Sequence, residues 1–211
     1  MIKTKQVKKI NIDDNFNAAI SYAKKIYLEG KVFIYPTDTI YGFGANPFNQ
    51  DSIKRINVIK QRELGKMFIL LISDVQTLQK YADIRREKHL DFLNSMWPNP
   101  ISFVLKLNDE TAEIFDSSTA AFRIPNNRFC LKLLKEIKMP LVSTSVNRSN
   151  NKPLNEIDLI ENEFDEEVDA IFYSAKKSFF TASTLIDLSG RTPKLIREGK
   201  IKFEDILEKF K

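Results

Sequence analysis

The sequence predicts an α/β protein built on a twisted, mixed β-sheet that is flanked by helices. Short apolar runs typical of buried strands alternate with amphipathic stretches typical of helices. The alternation is not strict, because the last third of the chain holds several strand-like runs with few helices between them. A purely parallel sheet needs a crossover between neighbouring strands, so this spacing favours a mixed sheet.

The predicted elements follow from hydrophobic periodicity and from residues that start or stop helices. The predicted helices are 14–30, 51–62, 75–81, 86–96, 129–137, 155–162 and 203–210. The predicted strands are 32–36, 67–73, 101–107, 119–125, 141–146, 170–175, 183–188 and 193–198. Gly30 is a natural stop for the first helix, and Asp51 is the predicted N-cap of the second. The run MFILLIS (67–73) is typical of a strand covered on both faces.

Composition predicts one globular domain over residues 1–211, with 43% hydrophobic residues. The net charge of +5 permits an anionic ligand or an RNA surface and requires neither. A single cysteine, Cys130, excludes an internal disulfide and is predicted to be buried. The single histidine, His89, is predicted to lie on a surface helix, which disfavours a catalytic triad or a His/Cys zinc site. No apolar run of about 20 residues is present and the basic start lacks an apolar signal core, so we expect a cytoplasmic protein.

The segment FIYPTDTIYGFGAN (33–46) joins a buried strand to several small hydrogen-bonding groups. Pro36 has no N–H and is expected to end strand pairing. Thr37, Asp38 and Thr39 then occupy the start of a loop, where ligand contacts are common. Gly42 and Gly44 are interpreted as places where the backbone approaches a ligand or turns sharply. The same residue types also make ordinary turns, so this segment alone does not decide between the two.

Three further clusters have the side chains of an anion site. Lys60, Arg62 and Lys66 lie in KQRELGK, where a phosphate clamp competes with simple neutralisation of a helix C-terminus. Ser143, Ser145 and Asn147 lie on one face at the end of VSTSVN, where they bind a ligand or cap a helix.

The third cluster comes from the strands in the second half of the chain. Arg123 lies in the otherwise apolar strand TAAFRIP, where it pairs with a structural carboxylate or with a ligand anion. Ser183, Thr184 and Arg197 lie at the polar ends of two later strands. The chain offers arginines, lysines and hydroxyls but no obvious nucleophile, general base or metal cage. This profile is typical of a nucleotide enzyme that works by positioning and charge stabilisation.

Seven segments, in this order, resemble the YrdC-like family, the L-threonylcarbamoyladenylate synthases. They are YPTDTIYGFG (35–44), KQR with Lys66 (60–66), WPNPISFVL (97–105), FRIPNN (122–127), PLVSTSVN (140–147), ASTLIDL (182–188) and LIREG (195–199). The resemblance implies a twisted α/β fold around a large basic cavity. This sequence departs from the family's usual pattern at Glu63 and Met67, where relatives often carry proline.

The resemblance also implies an activity. L-threonine, bicarbonate and ATP, with Mg²⁺ assisting, would give threonylcarbamoyl-AMP and pyrophosphate for the t⁶A modification at position 37 of tRNA. The implied partners are tRNA and the t⁶A-transferase machinery, and no membrane is expected. The family's motifs place Thr39, Arg123, Ser143 and Ser183 at threonine. They place Lys60, Arg62, Lys66, Thr119, Ser145, Asn147 and Arg197 at ATP, with Lys60 and Arg62 as catalytic residues.

The alternative is a non-catalytic nucleotide- or RNA-binding protein of the same fold. The intact K-x-R element (60–62) and S-x-N element (145–147) favour the enzyme. No RNA-binding motif is visible in the sequence. A carbamoyl-transfer domain of the hydrogenase-maturation type is disfavoured, because those domains belong to longer chains with zinc-finger cysteines.

Overall fold

The computed structural model describes residues 7–62, 68–85, 87–175 and 181–210. Its strands are β1 (Lys8–Asn11), β2 (Phe33–Tyr35), β3 (Gly42–Gly44), β4 (Ile69–Leu71), β5 (Ile101–Lys106), β6 (Thr119–Arg123), β7 (Leu141–Ser145), β8 (Ala170–Tyr173), β9 (Thr184–Asp187) and β10 (Lys194–Arg197). Its helices are α1 (Phe16–Leu28), α2 (Gln50–Ile59), α3 (Val75–Leu78), α4 (Glu87–Met96), α5 (Asp109–Phe115), α6 (Arg128–Ile137), α7 (Ile157–Phe164) and α8 (Phe203–Phe210). None of these helices has both the length and the apolar composition needed to cross a bilayer.

The residues group into two compact units, each assembled from two stretches of chain. The first lies within Met1–Lys66 and Leu141–Phe180, and the second within Met67–Pro140 and Thr181–Lys211. A single domain over 1–211 therefore stays a prediction.

The first unit carries a mixed sheet in the order β1-β8-β2-β3-β7. β8 pairs in parallel with β1 and β2, while β3 pairs antiparallel with β2 and β7. Aromatic side chains fill the core, and Phe33 meets Phe172 edge-on with ring centroids 5.7 Å apart. The Phe164 ring of α7 packs edge-on against Phe43 of β3 at 5.1 Å, which fixes this helix against the sheet.

The second unit carries another mixed sheet, in the order β4-β6-β5-β9-β10. β4 pairs in parallel with β6 and β5 in parallel with β9, while the β5–β6 and β9–β10 pairs are antiparallel. Phe92 of α4 packs on Phe103 of β5 at 5.5 Å and on Phe210 of α8 at 5.0 Å. The closing helix therefore joins the core of this unit. Both sheets confirm the predicted mixed α/β class.

Several boundaries and three small elements differ from the sequence prediction. The N-cap of α2 is Asn49, whose side chain accepts the Ser52 amide hydrogen, so the assignment to Asp51 was wrong. The sequence prediction missed β1, β3 and α5. The α5 signal was present, because Asn108 caps the helix and two acidic residues occupy its first turn. Cys130 is buried, as predicted.

The two glycines of the opening segment do not turn the chain. Gly42 and Gly44 form β3, paired with Tyr35 and Phe33 of β2. A Cβ on Gly44 would lie 2.7 Å from Phe33 Cε2 and 2.8 Å from Tyr35 Cε1. The absence of a side chain at Gly44 therefore makes room for two aromatic rings of the core.

We expect Gly44→Ala to destabilise the protein by about 1–3 kcal/mol, because the added methyl overpacks the space taken by the two rings. Urea unfolding would measure the change. Gly190→Ala is the control, since nothing lies within 4 Å of a Cβ built there. Equal stability of Gly44→Ala and wild type would contradict this packing account.

Candidate functional site

The loop between β2 and β3 begins with a hydrogen-bond network around Thr37. Its hydroxyl donates to the Ile40 carbonyl at 2.7 Å, accepts the Thr39 amide hydrogen at 3.0 Å and lies 3.0 Å from Thr39 Oγ1. Thr37 has one hydroxyl proton, which Ile40 receives, so Thr39 is the donor in the hydroxyl pair. Both threonines are buried. The network therefore fixes Thr39, one of the predicted threonine-binding residues, beside the end of β2.

β7 presents the predicted serine face next to β3. Ser145 pairs with Gly42, and a Cβ on Gly42 would lie 3.1 Å from Ser143 Oγ. The glycine thus leaves space around the Ser143 hydroxyl. That hydroxyl is half-buried and makes no hydrogen bond to any residue that the structure describes. A half-buried hydroxyl without a protein partner can bond to water or to a ligand, so the role of Ser143 at threonine stays a prediction.

Lys60 connects the end of α2 to the end of β7. It is the C-cap residue of α2, and only 3% of its surface is exposed. Its ammonium donates to the Ser145 carbonyl (2.5 Å), the Asn147 carbonyl (2.9 Å) and Asn147 Oδ1 (2.9 Å). These three bonds use all three donors of the group. Burial, and then the charge of Arg62, lower the pKa of Lys60 to about 8. Lys60 therefore holds the S-x-N element in place from beneath.

Arg62 leaves α2 through a left-handed turn. The Gln61 amide donates to the Val58 carbonyl and the Arg62 amide to the Asn57 carbonyl, both at 2.9 Å, with Gln61 at φ 49°. This is the Schellman pattern of helix ends, with glutamine where glycine is usual. The half-buried Arg62 side chain points its Nη1 toward Thr144 Oγ1 at 3.5 Å. Burial lowers the pKa of Arg62, but the guanidinium stays charged at neutral pH.

Arg148, which sequence reasoning missed, locks the loop after β7. Its guanidinium donates to the Ile59 carbonyl (2.5 Å), to Glu163 Oε1 (2.7 Å) and to both carboxylate oxygens of Glu167. It also lies 4.6 Å from the centre of the Phe164 ring. Hydrogen bonds to Glu167 and Glu163 raise its pKa. The position next to Asn147 was the available signal, but the distant partners could not be inferred from sequence.

In the second unit, Ser183 lies between the Ser102 hydroxyl and the Arg197 guanidinium. Its Oγ is 3.0 Å from Ser102 Oγ on β5 and 3.4 Å from Arg197 Nη2, which also donates to the Ser183 carbonyl at 3.0 Å. Ser102 and Ser183 are buried. The sequence analysis did not select Ser102, although it is a lone hydroxyl in the apolar strand ISFVL.

A β-bulge directs Arg197 toward this cluster. Lys194 and Leu195 pair with Asp187 and Ile186, and then the register shifts so that Arg197 pairs with Leu185. Without the shift, Arg197 would lie opposite Thr184 and point to the other face of the sheet. Leu185 and Ser183 are two residues apart, so their side chains share a face. The bulge is therefore what brings Arg197 to Ser183.

Gly199 allows the chain to return closely along β9. A Cβ there would lie 2.4 Å from the Ala182 carbonyl oxygen and 2.6 Å from the Thr184 amide nitrogen. Thr184 Oγ1 accepts the amide hydrogens of Gly199 (3.0 Å) and Ile201 (3.1 Å). This packing holds the segment that follows Arg197 against Ser183.

Arg123 adds a second positive charge to the Ser183 cluster. It is the last residue of β6 and is 4% exposed. Desolvation of the Arg197 guanidinium, and then the charge of Arg123, lower the pKa of Arg197. A guanidinium group whose charge is disfavoured by a neighbouring cation is stabilised by an anion. We therefore define Ser102, Arg123, Ser183 and Arg197 as the arginine cluster.

Thr119 does not belong to the arginine cluster. It begins β6 and Arg123 ends it, so about 13 Å of strand separates them at roughly 3.3 Å per residue. Lys106 of β5 pairs with Thr119, and it lines a cavity of about 360 Å³ at that end of the sheet. Arg85 at this cavity is neutralised by Asp83, with nitrogen–oxygen distances of 2.9 Å.

Lys66, together with Glu63 and Met67, lies outside the described residues.

The family model described as "Telomere recombination", for the Sua5, YciO and YrdC proteins, matches residues 25–199. The chain belongs to this family, as its sequence motifs predicted. The threonylcarbamoyl-AMP synthase of Pseudoalteromonas translucida (strain TAC 125) is 33% identical over 156 residues, or 72% of this chain and 83% of that protein.

Two solved structures extend the likeness over nearly the whole chain. P. abyssi Sua5 complexed with L-threonine has a TM-score of 0.86 and 25% identity over 96% of this chain. The chain spans 60% of the length of that protein. E. coli YciO has a TM-score of 0.85 and 26% identity, covering 96% of this chain and 99% of that one.

The stability contribution of Lys60 should depend on pH. Its folded pKa of about 8 is below the ordinary 10.5, so the unfolded chain binds more protons between these values. The cost of burying the charge is present in full below pH 8 and is relieved as the pH rises toward 10.5. We expect wild type to gain on the order of 2 kcal/mol over Lys60→Met between pH 7 and 10.

Urea unfolding at the two pH values would measure this gain. Lys54→Met, at an exposed position of the same helix, is the matched control and should show a constant offset from wild type. A pH-independent difference between wild type and Lys60→Met would contradict the account of a charged, buried Lys60.

Proposed function

We propose that this protein makes threonylcarbamoyl-AMP and pyrophosphate from L-threonine, bicarbonate and ATP. The arginine cluster carries the proposal, because it joins two guanidinium groups and a serine hydroxyl that suit a carboxylate or phosphate. The family membership and the relative named threonylcarbamoyl-AMP synthase support the same reaction. P. abyssi Sua5 complexed with L-threonine supports threonine as the amino acid.

We assign the threonine contacts to four residues within the two units. In the first unit, Thr39 of the β2–β3 loop and Ser143 of β7 contribute their hydroxyls. In the second, Arg123 pairs with the threonine carboxylate, and Ser183 donates a hydrogen bond. The pairing gives the buried Arg123 guanidinium an anion of fixed geometry.

The remaining predicted residues serve ATP. Arg62 and Arg197 stabilise phosphate charge, Ser145 contributes its hydroxyl, and Thr119 and Lys66 complete the set. The three bonds of Lys60 to Ser145 and Asn147 support a catalytic contribution by positioning. Asn147 donates through Nδ2 to the Asn151 carbonyl at 2.6 Å. This bond stabilises the turn after β7, which we assign to ATP binding.

The chemistry follows from charge stabilisation. The amine of threonine captures carbon dioxide or bicarbonate as a carbamate and gives up a proton or water. A carbamate oxygen then attacks the α-phosphorus of ATP, and the bond from that phosphorus to the bridging oxygen of pyrophosphate breaks. Arg62 stabilises the charge that develops on the phosphoryl oxygens, and no side chain forms a covalent bond.

Mg²⁺ would enter with the nucleotide. Among the described residues, no three metal-ligating side chains come together, so the protein supplies no cage of its own there. Mg²⁺ commonly keeps several waters and binds through the phosphates of its substrate. The product would serve t⁶A modification of tRNA, and tRNA and the t⁶A-transferase machinery would be its partners in the cytoplasm.

The purified protein should release pyrophosphate when given ATP, Mg²⁺, bicarbonate and L-threonine, because all three substrates are needed to form the mixed anhydride. A coupled pyrophosphate assay, with mass spectrometry of the product, would measure turnover. Serine in place of threonine, and omission of threonine, are the controls. Saturable nucleotide or RNA binding without threonine-dependent release would instead establish a non-catalytic binding protein.

We expect Arg62→Ala to lower kcat/KM for ATP by about 100-fold or more, because one charge-stabilising donor is lost. Urea unfolding of the same variant would check that the protein stays folded, so that lost turnover reports on the mechanism. Arg191→Ala, at an exposed arginine after β9, is the control and should keep full turnover. Unchanged turnover in Arg62→Ala would remove this residue from the mechanism.

A further inference from the structure

Ser102 is a buried hydroxyl with one partner. It lies on β5, its surface is fully covered, and within the described part of the chain its hydroxyl bonds only to Ser183 Oγ. A hydroxyl has one proton to donate and can also accept. Buried hydroxyl protons rarely stay without an acceptor. Either hydroxyl can donate in this pair, but only Ser183 can also reach a ligand, so both protons are paired when Ser102 donates to Ser183 and Ser183 donates to a bound ligand.

The direction of this bond determines what Ser183 can do. Arg197 Nη2 lies 3.4 Å from Ser183 Oγ, and a guanidinium can only donate. Ser183 Oγ then accepts from Ser102 and weakly from Arg197. Its own proton is left to point away from both, toward an acceptor. Accepting two hydrogen bonds also makes the remaining O–H a stronger donor.

The strand register places these groups on one face. Phe103 pairs with Phe122, so continuing the antiparallel register by one residue brings Ser102 opposite Arg123. Ser102 pairs with Leu185, which shares its face with Ser183 and with the bulged Arg197. The cluster therefore presents two cations and one oriented hydroxyl to the same space.

We propose that Ser102 is a positioning residue that orients the Ser183 hydroxyl as a donor to an oxygen of L-threonine. The inference rests on the proposed function, because it takes threonine as the ligand of the arginine cluster. Ser102 itself is too deeply buried to touch the ligand. Its contribution passes through one hydrogen bond to Ser183.

Calorimetric titration with L-threonine tests this relay, in which Ser102 acts on threonine through the Ser183 hydroxyl. We expect Ser102→Ala to raise the Kd for threonine about tenfold. Without the Ser102 hydroxyl, the Ser183 hydroxyl is no longer oriented and can rotate its proton away from the threonine oxygen. KM for threonine should rise in parallel, while kcat and KM for ATP stay near wild type. Ser102→Cys keeps the shape with a weak donor and should recover part of the affinity.

The Ser102→Ala, Ser183→Ala pair gives a decisive cycle. If Ser102 acts only through Ser183, the double variant binds threonine no more weakly than Ser183→Ala alone. Ser52→Ala is the matched control, because Ser52 is 1% exposed and its hydroxyl bonds to the Gly30 carbonyl at 2.7 Å. That variant should lose stability and keep threonine affinity.

Each result separates the two proposals. Wild-type affinity in Ser102→Ala, or additive losses in the double variant, would overturn the relay and leave the synthase intact. Failure of wild type to bind threonine would overturn the proposed function and the relay with it. Threonine binding that follows the expected order of variants supports both.

Discussion

The buried ammonium of Lys60 is the interaction on which the first unit's candidate site depends. Burial removes water from this charged group, which is unfavourable and lowers its pKa. Hydrogen bonds to three carbonyl-type oxygens offset that cost. Those acceptors belong to Ser145 and Asn147, which are polar groups at the end of a core strand. Arg148 and the Ser149 amide, which donates to the Lys60 carbonyl at 2.7 Å, close the same junction from the other side. The end of α2 and the loop after β7 therefore hold each other in a single arrangement.

The second unit solves a different problem, which is to hold two guanidinium groups near each other. Backbone geometry does most of this. Arg123 is fixed as the terminal residue of a paired strand, and the bulge in β10 turns Arg197 to the same face. Gly199 lets the following segment approach β9 within backbone contact distance. Because these restraints come from paired main chain, the backbone holds the two guanidinium groups near each other, which would preorganise the proposed site for a carboxylate or phosphate.

Sequence reasoning reached the fold class and most of the candidate residues, because long apolar runs and clusters of Lys, Arg and Ser are local signals. It failed where pairing in three dimensions decides. The GFG segment became a strand since β2 and β7 flank it, and its glycine spacing resembled a loop. Arg148 finds its acidic partners 15 and 19 residues later. The role of Lys60 beneath the strand end could not be distinguished from helix capping, because both require only a lysine at a helix terminus. Roles at individual substrates stay predictions.

The first unit's candidate site and the arginine cluster both hold more hydrogen-bond donors than acceptors, and this balance limits which ligands they can bind. Arg62, Arg123 and Arg197 can only donate, and the Ser183 hydroxyl already accepts from Arg197. A ligand that completes such sites must carry acceptor oxygens, as carboxylates, carbamates and phosphates do. A reaction between a carbamate and a phosphoryl group keeps negative charge on oxygen throughout, so fixed donors suffice to stabilise it. That requirement explains how a chain with one histidine and one buried cysteine can support nucleotidyl transfer without a side-chain nucleophile.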